Sequence, residues 1–169
     1  IDGEAASDSS GYSVSLSSDG SIVAIGARFN DGNGSNSGHV RIYQNVGDTW
    51  TKIGDDIDGE AASDSSGYSV SLSDDGSVVA IGAPRNDDNG TNSGSRVSKG
   101  HVRIYQNYGG TWTQVEDDID GESAADYFGD SVALSSDGSV VAIGAPLNDE
   151  NGSQSGHVRI YQNIGDTWN

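Results

Sequence analysis

Residues 67–105 read GYSVSLSDDGSVVAIGAPRNDDNGTNSGSRVSKGHVRIY, and the chain contains this stretch three times in closely related form. Segments 1–56, 57–118 and 119–169 align end to end, and the first seventeen residues of the first two copies, IDGEAASDSSGYSVSLS, are identical. The middle copy carries six additional residues, SRVSKG at 95–100, and the last stops after Trp168-Asn169. A fixed period of this size is the mark of a propeller, a solenoid or a linear array, because each unit buries its apolar face only against a neighbour.

Within one copy the apolar pattern has the period of a strand. Tyr12, Val14 and Leu16 alternate with Ser13, Ser15 and Ser17, which predicts a half-buried strand. The Ser-Asp-Gly that follows (Ser18, Asp19, Gly20) is a hairpin turn, with Gly supplying the positive φ. SIVAIGA at 21–27 is continuously apolar, as for a strand buried on both faces, and Ala24 and Gly26 allow a neighbour to approach closely. After a polar loop at 28–38 come HVRIYQN at 39–45, a Gly-Asp turn, and TWTKIG at 49–54. No segment has helical periodicity. The expected fold is all-β: three tandem four-stranded antiparallel repeats of about 56 residues, each a β-propeller-type blade. A β-solenoid is the competing architecture, but its coils are shorter and seldom carry three turns each.

Composition narrows the partners. A formal charge of −18 and a pI near 4.1 argue against nucleic acid and against an anionic membrane surface, both of which need clustered Lys and Arg. No run reaches the ~18 apolar residues of a membrane span, so no membrane insertion is expected. Cysteine is absent, which removes a disulfide framework and leaves the redox compartment unread. Ile1 is equivalent to Ile57 and Ile119, so the chain is expected to be a piece of a longer or processed polypeptide that opens within a repeating pattern.

Two short signatures add a family. The third copy reads Phe128-Gly129 and then Gly144-Ala145-Pro146; the second keeps Gly82-Ala83-Pro84 with Ser66-Gly67; the first has Ser10-Gly11 and Gly26-Ala27-Arg28. The chain thus resembles FG-GAP repeats of integrin alpha subunits, and more closely the Gly-, Ser- and Asp-rich versions in secreted microbial and algal proteins. The resemblance implies a propeller blade and an extracellular or cell-surface setting. It also implies a calcium loop of the form D-x-D-x-D-G-x-x-D in the first hairpin. Here that hairpin is only SSDGS or SDDGS, too short for the ligand set.

Other residues are candidates for chemistry. D-x-D-G-E-x-x-x-D recurs as Asp56, Asp58, Glu60, Asp64 and as Asp118, Asp120, Glu122, Asp126, with Asp2, Glu4 and Asp8 in the first copy. Hard oxygens around a Gly turn suit calcium; the alternative is a turn whose side chains bond their own backbone. Asn33, Asn89 and Asn151 each open an N-x-S/T sequon at the same loop position, and an exposed loop tip is where a glycan would sit. His39, His101 and His157 precede Val-Arg-Ile-Tyr in every copy and read as structural hydrogen-bonders more readily than as a metal ring. Arg41, Arg103 and Arg159 are expected to pair with acidic loops. Trp50, Trp112 and Trp168, on the fourth strand, either stack on sugar or cover the edge of a blade.

No nucleophile motif, phosphate loop or zinc spacing is present, and near-identical copies leave no place for the single asymmetric site an enzyme needs, so no enzyme is expected. Closed propellers have four to eight blades, and three leave faces unpaired. A six-blade dimer, a longer chain, or a head-to-tail fibre or layer would each resolve this. The expected function is a non-enzymatic extracellular structural or adhesive repeat protein that self-associates and displays acidic loops carrying glycosylation sequons, with glycans or extracellular proteins as further partners. The alternative is a multivalent lectin with one sugar site per blade.

Overall fold

The structure is a computed structural model that describes residues 1–87, 98–165 and 167–169. Its thirteen strands fall into three antiparallel sheets. In the first, β1 (Ser13–Leu16), β2 (Ile22–Ala27), β3 (His39–Val46) and β4 (Thr49–Lys52) follow in chain order, with Val14 opposite Ile25, Ala24 opposite Ile42 and Tyr43 opposite Lys52. The second sheet repeats this with β6 (Ser69–Leu72), β7 (Val78–Ala83), β8 (His101–Tyr108) and β9 (Thr111–Gln114). The third has β11 (Ser131–Leu134), β12 (Val140–Ala145) and β13 (His157–Gln162), and a single Asn163–Trp168 bridge stands where a fourth strand would run.

One element departs from the sequence reading. The polar opening of each new copy contributes a two-residue strand to the preceding sheet: β5 (Ile57–Asp58) pairs with β3, and β10 (Ile119–Asp120) with β8. Ile57 sits opposite Val40 and Asp58 opposite His39. The outer edge of a blade is therefore shared between its own last strand and the start of the next copy, which ties successive repeats by backbone hydrogen bonds.

The sheets stack face to face, the innermost strands β1, β6 and β11 lying side by side. Alternation along each strand assigns its two faces to two neighbours. Val70 and Leu72 of β6 join Ala24, Val40 and Ile42 in the core between the first two blades. Val102, Ile104 and Ala80 join Val141, Ile143 and the partly buried Val132 and Leu134 in the core between the second and third. Every residue of β7 is buried, as its uninterrupted apolar run requires. The serines of the SVSL strands are not idle: Ser15 Oγ accepts from Leu72 N at 3.0 Å, and Ser71 Oγ accepts from Leu134 N at 3.0 Å.

The two signature glycines of successive copies meet at these junctions. A Cβ on Gly26 would stand 2.1 Å from Gly67 O, and one on Gly82 would stand 2.1 Å from Gly129 O. Ser13 Oγ and Ser69 Oγ donate to those same carbonyls at 2.8 Å. Gly144 has the same fold position but faces no further blade, and its added Cβ would meet only the rotatable Ser131 Oγ at 2.3 Å. Gly82→Ala should therefore destabilise the protein by about 1–3 kcal/mol through overpacking against fixed backbone, while Gly144→Ala should cost under about 1 kcal/mol. Urea unfolding of the two variants checks this, and equal losses would contradict it.

The hairpin turns rest on Asp as well as Gly. Asp19 Oδ1 accepts from Ser21 N at 2.9 Å and Ser17 Oγ at 2.7 Å, and Asp75 and Asp137 do the same in their copies. These bonds hold all three carboxyls below the ordinary Asp value of 3.8, Asp137 to about 2 through Ser135 and Ser139. The unfolded chain takes up these protons at a higher pH than the folded chain, so the stability they contribute is present above pH ~4 and is lost as pH falls toward ~2. Melting temperature against pH should fall less steeply across that window in the Asp19→Asn, Asp75→Asn, Asp137→Asn triple variant than in the parent; identical slopes would refute the assignment.

Candidate functional site at the blade junctions

The carboxylates of D-x-D-G-E-x-x-x-D do not converge on one point. Asp64 is buried; it accepts from Ala61 N at 2.8 Å and from Asn86 Nδ2 at 3.1 Å. Asp126 accepts from Asn148 at 2.7 Å and Asp8 from Asn30 at 2.9 Å, each pair 22 residues apart. These bonds pin the opening segment of a copy to the loop after its GAP position. Burial raises the Asp64 carboxyl above its usual value despite the bonds from Ala61 and Asn86.

The remaining acids gather around the histidines. His39 opens β3, where its Nδ1 lies 3.8 Å from Asp56 Oδ2, 3.9 Å from Glu4 Oε2 and 4.0 Å from Asp58 Oδ1. His101 opens β8 and stands 3.3 Å from Asp118 Oδ2 and 3.7 Å from Glu60 Oε2. So Glu60 serves its own copy, while Asp56 and Asp58, only a few residues earlier, serve the preceding one. His157 approaches Glu150 at 3.7 Å, with Glu122 beside them. Burial lowers the His39 imidazole, with Asp56 and Glu4 opposing; burial raises Asp58, with His39 opposing. Asp118 is held low by His101 and by Gln114, whose amide donates to Oδ1 at 2.6 Å, against the opposing effect of burial.

The arginines pair as the sequence suggested. Arg41 Nη1 lies 3.3 Å from Glu4, and its Nη2 donates to Asp2 O at 2.8 Å. Arg103 approaches Glu60 at 3.8 Å and donates to Asp58 O at 2.7 Å; Arg159 pairs with Glu122. Asp120 sits opposite His101 in the ladder. The histidine clusters are separate, each with its own carboxylates and no shared ring among the described residues. The first hairpin does not fit the family's calcium loop: its Asp19 carboxylate is already committed to Ser17 and Ser21.

Trp112 reaches across a junction, its Nε1 donating to Ile53 O at 3.0 Å while the ring packs on the first core. Trp168 packs on the second core, and Trp50, on the outward side of the first blade, is exposed. Around Trp112 a groove lined by Asp56, Asp58, Tyr105 and Gly110 recurs around Trp168 with Asp118, Asp120 and Tyr161. Asn33 Nδ2 donates to Gly59 O at 2.8 Å and Glu60 O at 3.0 Å, so the acceptor nitrogen of that sequon is engaged. Asn151 is exposed; Asn89 lies outside the described residues.

Sequence reasoning treated the histidines, Glu4 and Glu150 as separate features. The available signal was that the histidines and Glu4, with its counterparts Glu60 and Glu122, recur in every copy, whereas Glu150 stands where Gly32 and Asp88 do. Removing Asp64 would take away the carboxylate that accepts from the buried Asn86 Nδ2. Asp64→Ala should lower unfolding stability by about 1–3 kcal/mol, and an unchanged urea midpoint would show that this pair does not hold the segment.

Comparison with known proteins agrees with this architecture. The putative 6-phosphogluconolactonase of Bacteroides uniformis ATCC 8492 superposes with a TM-score of 0.59 at 13% identity, over 93% of this chain and 38% of that one. The tricorn protease superposes with a TM-score of 0.50 at 12% identity, over 90% of this chain and 14% of that one. At such identities the likeness is one of fold, and this chain spans well under half the length of either. No curated protein matches the sequence. The sequence profile of the FG-GAP repeat matches at residues 2–43, 57–96 and 118–161. Three consecutive matches that cover most of the chain, on three stacked antiparallel blades whose FG and GAP glycines touch, make this chain a member of the FG-GAP repeat family.

Proposed function

We propose that this chain is a non-enzymatic structural or adhesive module of the extracellular space, and that it works by head-to-tail association through the open faces of its first and third blades. The observation that carries this reading is a pair of complementary open faces. Val14 and Leu16 on the first blade are 63% and 59% exposed, whereas their equivalents Val70 and Leu72 are 9% and 7% exposed. On the third blade Val158 and Ile160 are 66% and 69% exposed, whereas Val102 and Ile104 are 0% and 2% exposed. Each open face is one half of a junction that already occurs twice within the chain. Exposed apolar surface of this kind marks an interaction site, and a heterologous contact of one face with the other builds rings or fibres according to the rotation per step.

A notch of the shape that the first blade of a second copy would need supports this reading. Ser131, Gly144, Gly156 and Val158 line it, at the positions that Ser13, Gly26, Gly38 and Val40 occupy around Gly67 in the first junction. Gly11 of the second copy would take the place of Gly67. The acidic loops and an Asn151 glycan would then repeat along the assembly, as an adhesive surface does. The packed positions of Trp112 and Trp168 favour this over a sugar-binding role for the tryptophans. Membership of a family found in surface proteins supports the extracellular setting.

Two double variants test the proposal. Val14→Asp/Leu16→Asp removes one face and Val158→Asp/Ile160→Asp the other. Each variant alone should be monomeric by light scattering, whereas an equimolar mixture should form one-to-one dimers and no larger species. Association of either variant with itself, or a parent protein monomeric at every concentration, would overturn it.

A further inference from the structure

We propose that the His101, Glu60 and Asp118 cluster, and its counterpart His39, Glu4 and Asp56, is a binding site for a divalent ion of the zinc class that clasps the two ends of a repeat to its third strand. Each set places one imidazole nitrogen and two carboxylate oxygens within 4.8 Å of one another. The separations in the His101 set are close to those of co-ligands, and those in the His39 set are slightly wider, at 3.8 and 3.9 Å. Two donors sharing a tetrahedral zinc at about 2.0–2.2 Å stand roughly 3.3–3.6 Å apart, and His101 Nδ1 stands 3.3 Å from Asp118 and 3.7 Å from Glu60. A direct hydrogen bond would be shorter, at about 2.7–3.2 Å.

The second observation concerns the histidine itself. His101 is 1% exposed, and its Nδ1, the atom turned toward both carboxylates, is buried and makes no hydrogen bond. Buried polar atoms without partners are rare in folded proteins, and a cation held between the three groups would satisfy this one and offset the convergence of negative charge. The carboxylates, by contrast, are partly exposed, which gives an ion a path in from solvent. An imidazole ligand selects a borderline transition ion over calcium, which prefers oxygen donors alone; the site shares Asp56, Glu60 and Asp118 with the calcium expectation for the opening motif but differs from it in its histidine and in its chemistry.

The ion would join three segments of one copy: its opening through Glu60, strand β8 through His101, and its end, just before β10, through Asp118. Binding to the folded form alone would raise stability by mass action. The third cluster, His157 with Glu122 and Glu150, has no acid from the end of its copy, so it cannot join the two ends of a repeat. This proposal does not depend on association between chains.

The test uses the full chain stripped with chelator and then titrated with Zn²⁺ or Co²⁺. Calorimetry should give two strong zinc sites per chain, Co²⁺ should develop the visible absorption of a four-coordinate site, and zinc at a hundredfold excess over Kd should raise the melting temperature by about 5–10 °C per site. Asp56→Asn/Asp118→Asn should abolish the strong sites while melting within a few degrees of the parent in chelator. His39→Gln/His101→Gln should also abolish them. If the histidine pair does not fold, loss of binding in the asparagine variant alone carries the result. Absence of zinc binding below 100-fold molar excess, zinc binding that survives the asparagine substitutions, or calcium giving the same shift as zinc would each overturn the proposal.

Discussion

The structure depends on the close approach of backbone to backbone where one blade meets the next. Gly26 and Gly82 have no room for a Cβ because the carbonyls of Gly67 and Gly129 lie 2.1 Å from where one would stand. This contact is the physical content of the family's two signatures: the glycine of GAP in one copy receives the glycine of FG in the next. The aromatic member is less constrained. Phe128 is buried in the second core and meets Tyr161 edge-on, with ring centroids 6.4 Å apart, yet the first junction has Ser66 at the same position. Backbone proximity sets the blade spacing, and the apolar side chains fill what that spacing leaves.

Much of this was legible in the sequence, for reasons that can be named. Alternation in SVSL, the continuous VVAIGA run and the Asp-Gly turns each report one dominant local force, and threefold repetition fixes their order. The two-residue strands β5 and β10 were not legible, because two residues carry no periodicity; Ile57 and Asp58 look like part of a polar turn until β3 is placed beside them. The site was less legible for a related reason. Asp56, Glu60 and Asp64 are neighbours in sequence but lie on opposite sides of a junction, so they answer to His39, His101 and Asn86 in turn. A motif read along the chain gathered residues that the fold distributes among three contacts.

The same geometry explains why the acidic character of the chain is compatible with a dense stack. Carboxylates in the hairpins are committed to serine hydroxyls and backbone amides, those of the opening segments to asparagine, arginine and histidine. The apolar residues are concentrated on the faces between blades, and the end blades present those faces to solvent. A repeat built in this way has one way to bury its surface, which is to add another blade of its own kind.

The most direct measurement of the account is a high-resolution structure of the assembled protein. The account predicts that Gly11 of one copy seats against Gly144 of its neighbour, with Val14 and Leu16 covering Val158 and Ile160, in the geometry that Gly67 and Gly26 adopt within the chain. A symmetric pairing of two first-blade faces, or an assembly that leaves either apolar face in water, would contradict it.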